Sequence, residues 1–85
     1  MKFEVSWVPS AEEDLADIYL NLPNKDDVVA ASKAIDRYLA LDPLDFGESR
    51  QSSVERVGQV SPIGISYEVI VDDHKVFVTR AWLVK

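Results

Sequence analysis

The chain has 85 residues, 47% of them hydrophobic, with a formal net charge of −6 and no cysteine. A chain near this size buries only about 60% of its unfolded surface, so half of it would lack a workable interior, and a single domain over residues 1–85 is expected. The absent thiols exclude disulfides, cysteine nucleophiles and cysteine-based metal sites, and no apolar run approaches the roughly 20 residues of a membrane span.

The acidic balance weighs against nucleic-acid binding, since duplex DNA carries about one negative charge per 1.7 Å. The acidic excess lies in residues 1–45, so a local basic surface can survive in the second half. The start, Met1-Lys2-Phe3-Glu4-Val5, lacks an apolar signal-peptide core, and a cytoplasmic location is expected.

Phe3, Val5 and Trp7 alternate with polar residues, the period of a half-buried strand that Pro9 stops. Ser10-Ala11-Glu12-Glu13 reads as a capping box. Ala11, Leu15, Ile18 and Leu22 then form one apolar stripe, which predicts a helix ending near Asn21, before Pro23. Asn24 or Asp26 can cap a second helix, with Val28, Ala31, Ile35, Tyr38, Leu39 and Leu41 at helical spacing and Asp42-Pro43 as its stop. The two form a helical hairpin.

Residues 43–53 are turn-rich and read as an exposed loop. Val54 to Val60 is a weaker strand, interrupted by Gly58, and Ser61-Pro62 is a turn. Ile63, Ile65, Tyr67, Val69 and Val71 alternate with Gly64, Ser66, Glu68 and Ile70 in a clear strand. After the polar loop Asp72-Asp73-His74-Lys75 comes a strand from Val76 to Val84, apolar on both faces. Val76, Val78, Trp82 and Val84 are expected on one face and Phe77, Ala81 and Leu83 on the other. A strand so apolar belongs in the sheet interior. The order β-α-α-β-β-β predicts an α+β fold, an antiparallel sheet covered on one face by the helical hairpin.

This order, together with four local patterns, resembles the RelE/ParE superfamily of toxins, the plasmid-stabilisation type. Val5-Ser6-Trp7-Val8-Pro9-Ser10-Ala11-Glu12-Glu13-Asp14-Leu15 is similar to the family's V-x-W-x-P-x-A-x-x-D-L. Ala34-Ile35-Asp36-Arg37-Tyr38-Leu39 with Asp42-Pro43 is similar to A-I-D-x-x-L…x-P. An arginine-bearing loop and strand follow, with Arg50 and Arg56, and Pro62-Ile63-Gly64-Ile65-Ser66-Tyr67-Glu68-Val69 is similar to P-L-x-V-x-Y-E-V. The resemblance implies the toxin component of a type II toxin–antitoxin module. Its members act as ribosome-dependent mRNA interferases or as inhibitors of DNA gyrase, and an antitoxin encoded by the adjacent gene neutralises them by wrapping over sheet and groove. Antitoxins of such pairs are usually acidic, so an acidic toxin implies a more basic antitoxin or a mainly apolar interface. A homodimer stays open.

Cleavage at an RNA 2′-OH needs a base for that hydroxyl, cations for the developing phosphorane charge and an acid for the leaving oxygen. The resemblance assigns such roles to Arg50 and Arg56 as phosphate clamps and to Tyr67. Arg80 and the terminal Lys85 are substitutes if they reach the same surface. Arg50 and Arg56 read equally as a solvated loop arginine and a strand residue paired with Glu55 or Glu68, and Tyr67 as a core residue whose hydroxyl finds a partner. The family's arginine three residues before that tyrosine is Gly64 here. Its fourth-strand arginine falls near Val84, and its C-terminal Tyr/His segment would fall after Lys85. The catalytic set is thus incomplete, whereas gyrase inhibition needs none. The alternative is a non-catalytic protein-binding module on the same scaffold. Arginines gathered on one sheet face would favour catalysis, and scattered ones the binding module.

His74 reads as an exposed turn residue, and Trp7 and Trp82 as core. Three adjacent residues on one turn, Asp72, Asp73 and His74, rarely converge on one ion. No motif requires a metal or a cofactor, and the exposed edge of a short sheet offers a site for strand addition by a partner.

Overall fold

A computed structural model describes residues 2–49 and 55–84. The elements in chain order are β1 (Glu4–Trp7), α1 (Pro9–Asn21), α2 (Lys25–Leu41), the single turn α3 (Pro43–Phe46), β2 (Glu48–Ser49), β3 (Glu55–Val60), β4 (Ile63–Ile70) and β5 (Lys75–Leu83). The sheet order is β1-β5-β4-β3-β2. The last strands form the expected antiparallel meander, and β1 joins it parallel to β5, from Glu4 beside Lys75 to Trp7 beside Val78. β5 is therefore an interior strand, flanked on both sides as its apolar composition requires. The turn-rich segment after α2 contributes α3 and the two-residue β2.

The helical hairpin lies on one face of this sheet. Ala11 and Ile18 of α1 and Val28, Ala31, Ile35 and Leu39 of α2 pack against Ile63, Ile65, Tyr67 and Val69 of β4 and Val76, Val78 and Ala81 of β5. Tyr38 and Leu41, on the expected stripe of α2, are turned outward instead, and Tyr38 stacks on Phe46 of α3 with ring centroids 5.2 Å apart.

The capping box does not form. α1 begins at Pro9, whose fixed φ suits the first helical position and whose missing N–H leaves no donor to satisfy. Val8 becomes the cap residue, its carbonyl accepting from the Glu12 N–H. Ser10 now lies inside the first turn, and its hydroxyl donates to the Thr79 carbonyl of β5 at 3.3 Å. At the other end Lys25 Nζ donates to the Tyr19 carbonyl at 2.9 Å and to that of Leu22 at 3.4 Å, satisfying carbonyls that the finished helix leaves open. Asn24 caps α2 without a side-chain bond, and Asp26 and Asp27 place negative charge in its first turn, where the helix dipole favours it.

One irregularity reorganises the end of the sheet. Ser66 pairs with Arg80 but Tyr67 pairs with Val78, so Thr79 is an extra residue in β5. Its hydroxyl donates to the Ser66 carbonyl at 3.1 Å. The bulge resets the alternation: Ala81, not Trp82, continues the buried face of Val76 and Val78. The sequence-based expectation that Val78 and Trp82 share a face is thus corrected, because strict period two counts no extra residue. β1 ends beside Val78, where the bulge begins, and α1 takes over the strand's role. Ser10 bonds Thr79 as described, and Asp14 Oδ2 accepts the Ala81 N–H at 3.0 Å.

Candidate functional site

The sheet face opposite the helices carries Gly64, the position where the resemblance implies an arginine. Alternation puts Gly64, Ser66, Glu68 and Ile70 of β4 on it, beside Phe77, Arg80 and Trp82 of β5 and Val57 and Gln59 of β3. Its described charges are Glu4, Glu48, Glu55 and Glu68 against Lys75 and Arg80, so acid outweighs base. Trp82, 39% exposed, lies over Gly64. A Cβ at Gly64 would sit 2.7 Å from the indole Cε2 and 2.9 Å from a Val84 methyl. The place where the resemblance implies a phosphate-binding arginine is thus filled by an aromatic ring.

Arg56 is on the other side of the sheet. It pairs with Tyr67 in register and shares the helix-facing side with it. Its Nη2 donates to the Leu44 carbonyl at 2.6 Å and the Gly47 carbonyl at 2.9 Å, closing the end of α3. Tyr67 is 0% exposed, and its hydroxyl donates to the Pro43 carbonyl at 2.8 Å. Burial pushes its phenol above the ordinary value, while Arg56 and the Gly47 backbone oppose the rise. Gly47 is needed there, since a Cβ would lie 2.6 Å from the Tyr67 oxygen. Arg56 and Tyr67 therefore pin the chain from Pro43 to Gly47 onto the sheet. Partial desolvation, then the neighbouring Asp45 carboxylate, raises Asp42 above the usual carboxylate range at the start of the same turn.

Arg80 pairs with Asp14 of α1 through Nε at 2.9 Å, and its side chain is 66% exposed. The bulge places it on the open side, away from Arg56. Arg50 and Lys85 lie outside the described residues. The structure thus brings Arg56 and Tyr67 together and holds Arg80 apart from them. Asp72, Asp73 and His74 stay in the β4–β5 turn, with the His74 ring 5.3 Å from Phe3, and among the described residues no acidic or histidine group is arranged to hold a metal.

A concavity lies elsewhere, between α1 and α2. This groove of about 710 Å³ is lined by Leu15, Ala16, Tyr19 and Leu20 of α1, Val28 and Val29 of α2 and Trp7 of β1, with Glu12, Ser32 and Asp36 among its polar groups. Trp7 donates from Nε1 to Asp36 Oδ1 at 2.8 Å, so it serves the groove and not the core alone. The signal in the sequence was the breadth of the apolar arc on α1. Ala16, Tyr19 and Leu20 widen the stripe of Ala11, Leu15 and Ile18 beyond what one sheet contact uses.

No protein-family model and no curated protein matches this sequence. Solved structures do. A chain of the toxin–antitoxin complex RelBE2 from Mycobacterium tuberculosis superposes with a TM-score of 0.81 at 16% identity, covering 98% of this chain and 92% of that one. The chromosomal ParDE TA system from P. aeruginosa gives 0.68 at 15%, covering 99% and 98%. The isolated E. coli RelE toxin gives 0.67 at 14%, covering 98% and 85%. Over nearly its whole length, this chain has the RelE/ParE toxin fold.

Proposed function

We propose that this chain is the toxin component of a type II toxin–antitoxin module, that it acts in the cytoplasm by binding its target rather than by cleaving RNA, and that an antitoxin encoded beside it neutralises it. The whole-chain likeness to toxin structures supports the first part. The single observation behind the second is the indole of Trp82 over Gly64, which occupies the place of a phosphate-binding cation. The scatter of the arginines agrees: Arg56 is spent on the backbone of α3 and Arg80 on Asp14. A protein-binding target such as gyrase needs no acid–base set. The same scatter favours a second reading, a binding module on this scaffold with no toxicity of its own.

Inducible expression in a bacterium, alone and with the neighbouring reading frame, separates these readings. Growth arrest that the neighbour relieves, without cleavage of ribosome-bound mRNA by the purified chain, is the expected result, and gyrase supercoiling is the first target assay. Cleavage of mRNA would overturn the binding mechanism. Unimpaired growth with good expression would leave the binding module.

A further inference from the structure

We infer that the solvent-facing side of α2 is a self-association surface, on which the α2 of a second copy of this chain lies antiparallel about Ala30 and Ala34. Such a dimer does not require the chain to be a toxin.

The buried stripe of α2, Val28, Ala31, Ile35 and Leu39, uses one side of the helix. Turned away from it, Asp27, Ala30, Ala34, Arg37 and Leu41 recur at i, i+3, i+7, i+10 and i+14, the a/d spacing of a seam between two helices. All but the half-buried Ala34 are exposed. The two alanines floor a shallow depression of about 380 Å³, walled by Lys33, Arg37 and Tyr38. Tyr38 is held in that wall by its stack on Phe46 yet is 49% exposed, and Leu41 is 57% exposed. Small side chains on the floor let a second helix axis approach to about 8 Å.

Charge selects the occupant. Among the described residues Asp27, Lys33 and Arg37 form no ion pair. The helix dipole accounts for Asp27 in the first turn, but not for Arg37, which stands short of the last turn where the dipole favours a cation. Along the seam the order is acid, alanine, alanine, base, and the reverse of that order is its own complement. With Ala30 of each copy against Ala34 of the other, Arg37, three residues beyond Ala34, meets the second copy's Asp27, three before Ala30. A two-fold axis makes this pair twice. In the same register Leu41 reaches the second copy's hairpin turn at Pro23. A parallel pairing would set Arg37 against Arg37 and Asp27 against Asp27, so repulsion between like charges excludes it.

Sedimentation equilibrium of the full chain is the test, at moderate salt, where screening damps the repulsion between two chains of charge −6 but spares ion pairs in contact. The expected result is a monomer–dimer equilibrium. Asp27 and Arg37 are exposed, so Asp27→Arg and Arg37→Asp leave the core untouched, and circular dichroism checks that both fold. Each breaks the pair at both of its symmetric places and is expected to weaken the dimer about tenfold or more. Net charge alone predicts opposite effects, since Asp27→Arg lowers the repulsion between copies and Arg37→Asp raises it. Weakening by both is therefore the mark of the local pair. The double variant, Asp27→Arg with Arg37→Asp, exchanges the charges and is expected to regain most of the loss. A chain that stays monomeric at every concentration overturns the inference. A dimer indifferent to both single changes, or one that the double variant does not restore, overturns it as well.

Discussion

The two faces of the sheet are built from the same five strands and obey different rules. On the helix-covered face every position of β4, from Ile63 through Ile65 and Tyr67 to Val69, is buried, and its one polar atom, the Tyr67 hydroxyl, has a partner. On the open face the same strand carries Gly64, Ser66, Glu68 and Ile70, and the indole of Trp82 rests on Gly64. The covered face spends its arginine on architecture, and the open face fills its expected cation site with a ring. One fold thus carries two faces of different chemistry, packed apolar side chains on one and a mixed polar surface on the other.

Tyr67 should separate the faces most sharply. Tyr67→Ala empties a fully buried aromatic position and is expected to cost about 3–5 kcal/mol in chemical denaturation. Tyr67→Phe removes only the hydroxyl, leaves the Pro43 carbonyl without its donor, and should cost about 1–2 kcal/mol. Because the phenol is raised in the folded chain, its contribution is whole below the ordinary value of 10.0 and drains away as pH climbs through the higher folded value. The gap in stability between the native chain and Tyr67→Phe should therefore shrink above pH 10.0. A constant gap would contradict the burial of that hydroxyl.

Next in size is Gly64→Ala, expected to cost about 1–3 kcal/mol by displacing Trp82. Most of that cost should vanish in a Trp82→Ala background, and a double-mutant cycle without coupling would show that the ring does not rest on Gly64. Asp14→Ala removes the acceptor of the Ala81 amide and should cost about 1 kcal/mol, with little dependence on salt. The ion pair to the well-exposed Arg80 adds only a few tenths, about what surface pairs contribute. Arg80→Ala is accordingly the mildest change, and a large loss from it would show that the open face relies on Arg80 after all.

Local pattern was enough to locate β1, both long helices, β4 and β5, because each is long enough for its apolar period to repeat. The same period misplaced Trp82, since nothing near Thr79 announces an extra residue and the pairing that creates the bulge is with a strand thirteen residues earlier. Ser10 misled for a related reason. Its capping pattern with Glu13 is local, whereas its partner, Thr79, is sixty-nine residues away. Arg56 was recognisable as a notable arginine but not as a clamp on α3, because α3 itself is a single turn held by tertiary contacts. Long-range partners decided each of these cases, and a linear pattern does not contain them.

The exchange of β1 for α1 at the bulge has a consequence for how copies of this chain behave in a crowded solution. A strand as apolar as β5, left with a bare row of amides, would template sheet growth between molecules. Instead the hydroxyl of Ser10 and the carboxylate of Asp14 occupy the Thr79 carbonyl and the Ala81 amide, and the helix bearing them stands in the path of an incoming strand. The open edge of an apolar strand is thereby blocked to strand addition by two polar side chains on a neighbouring helix.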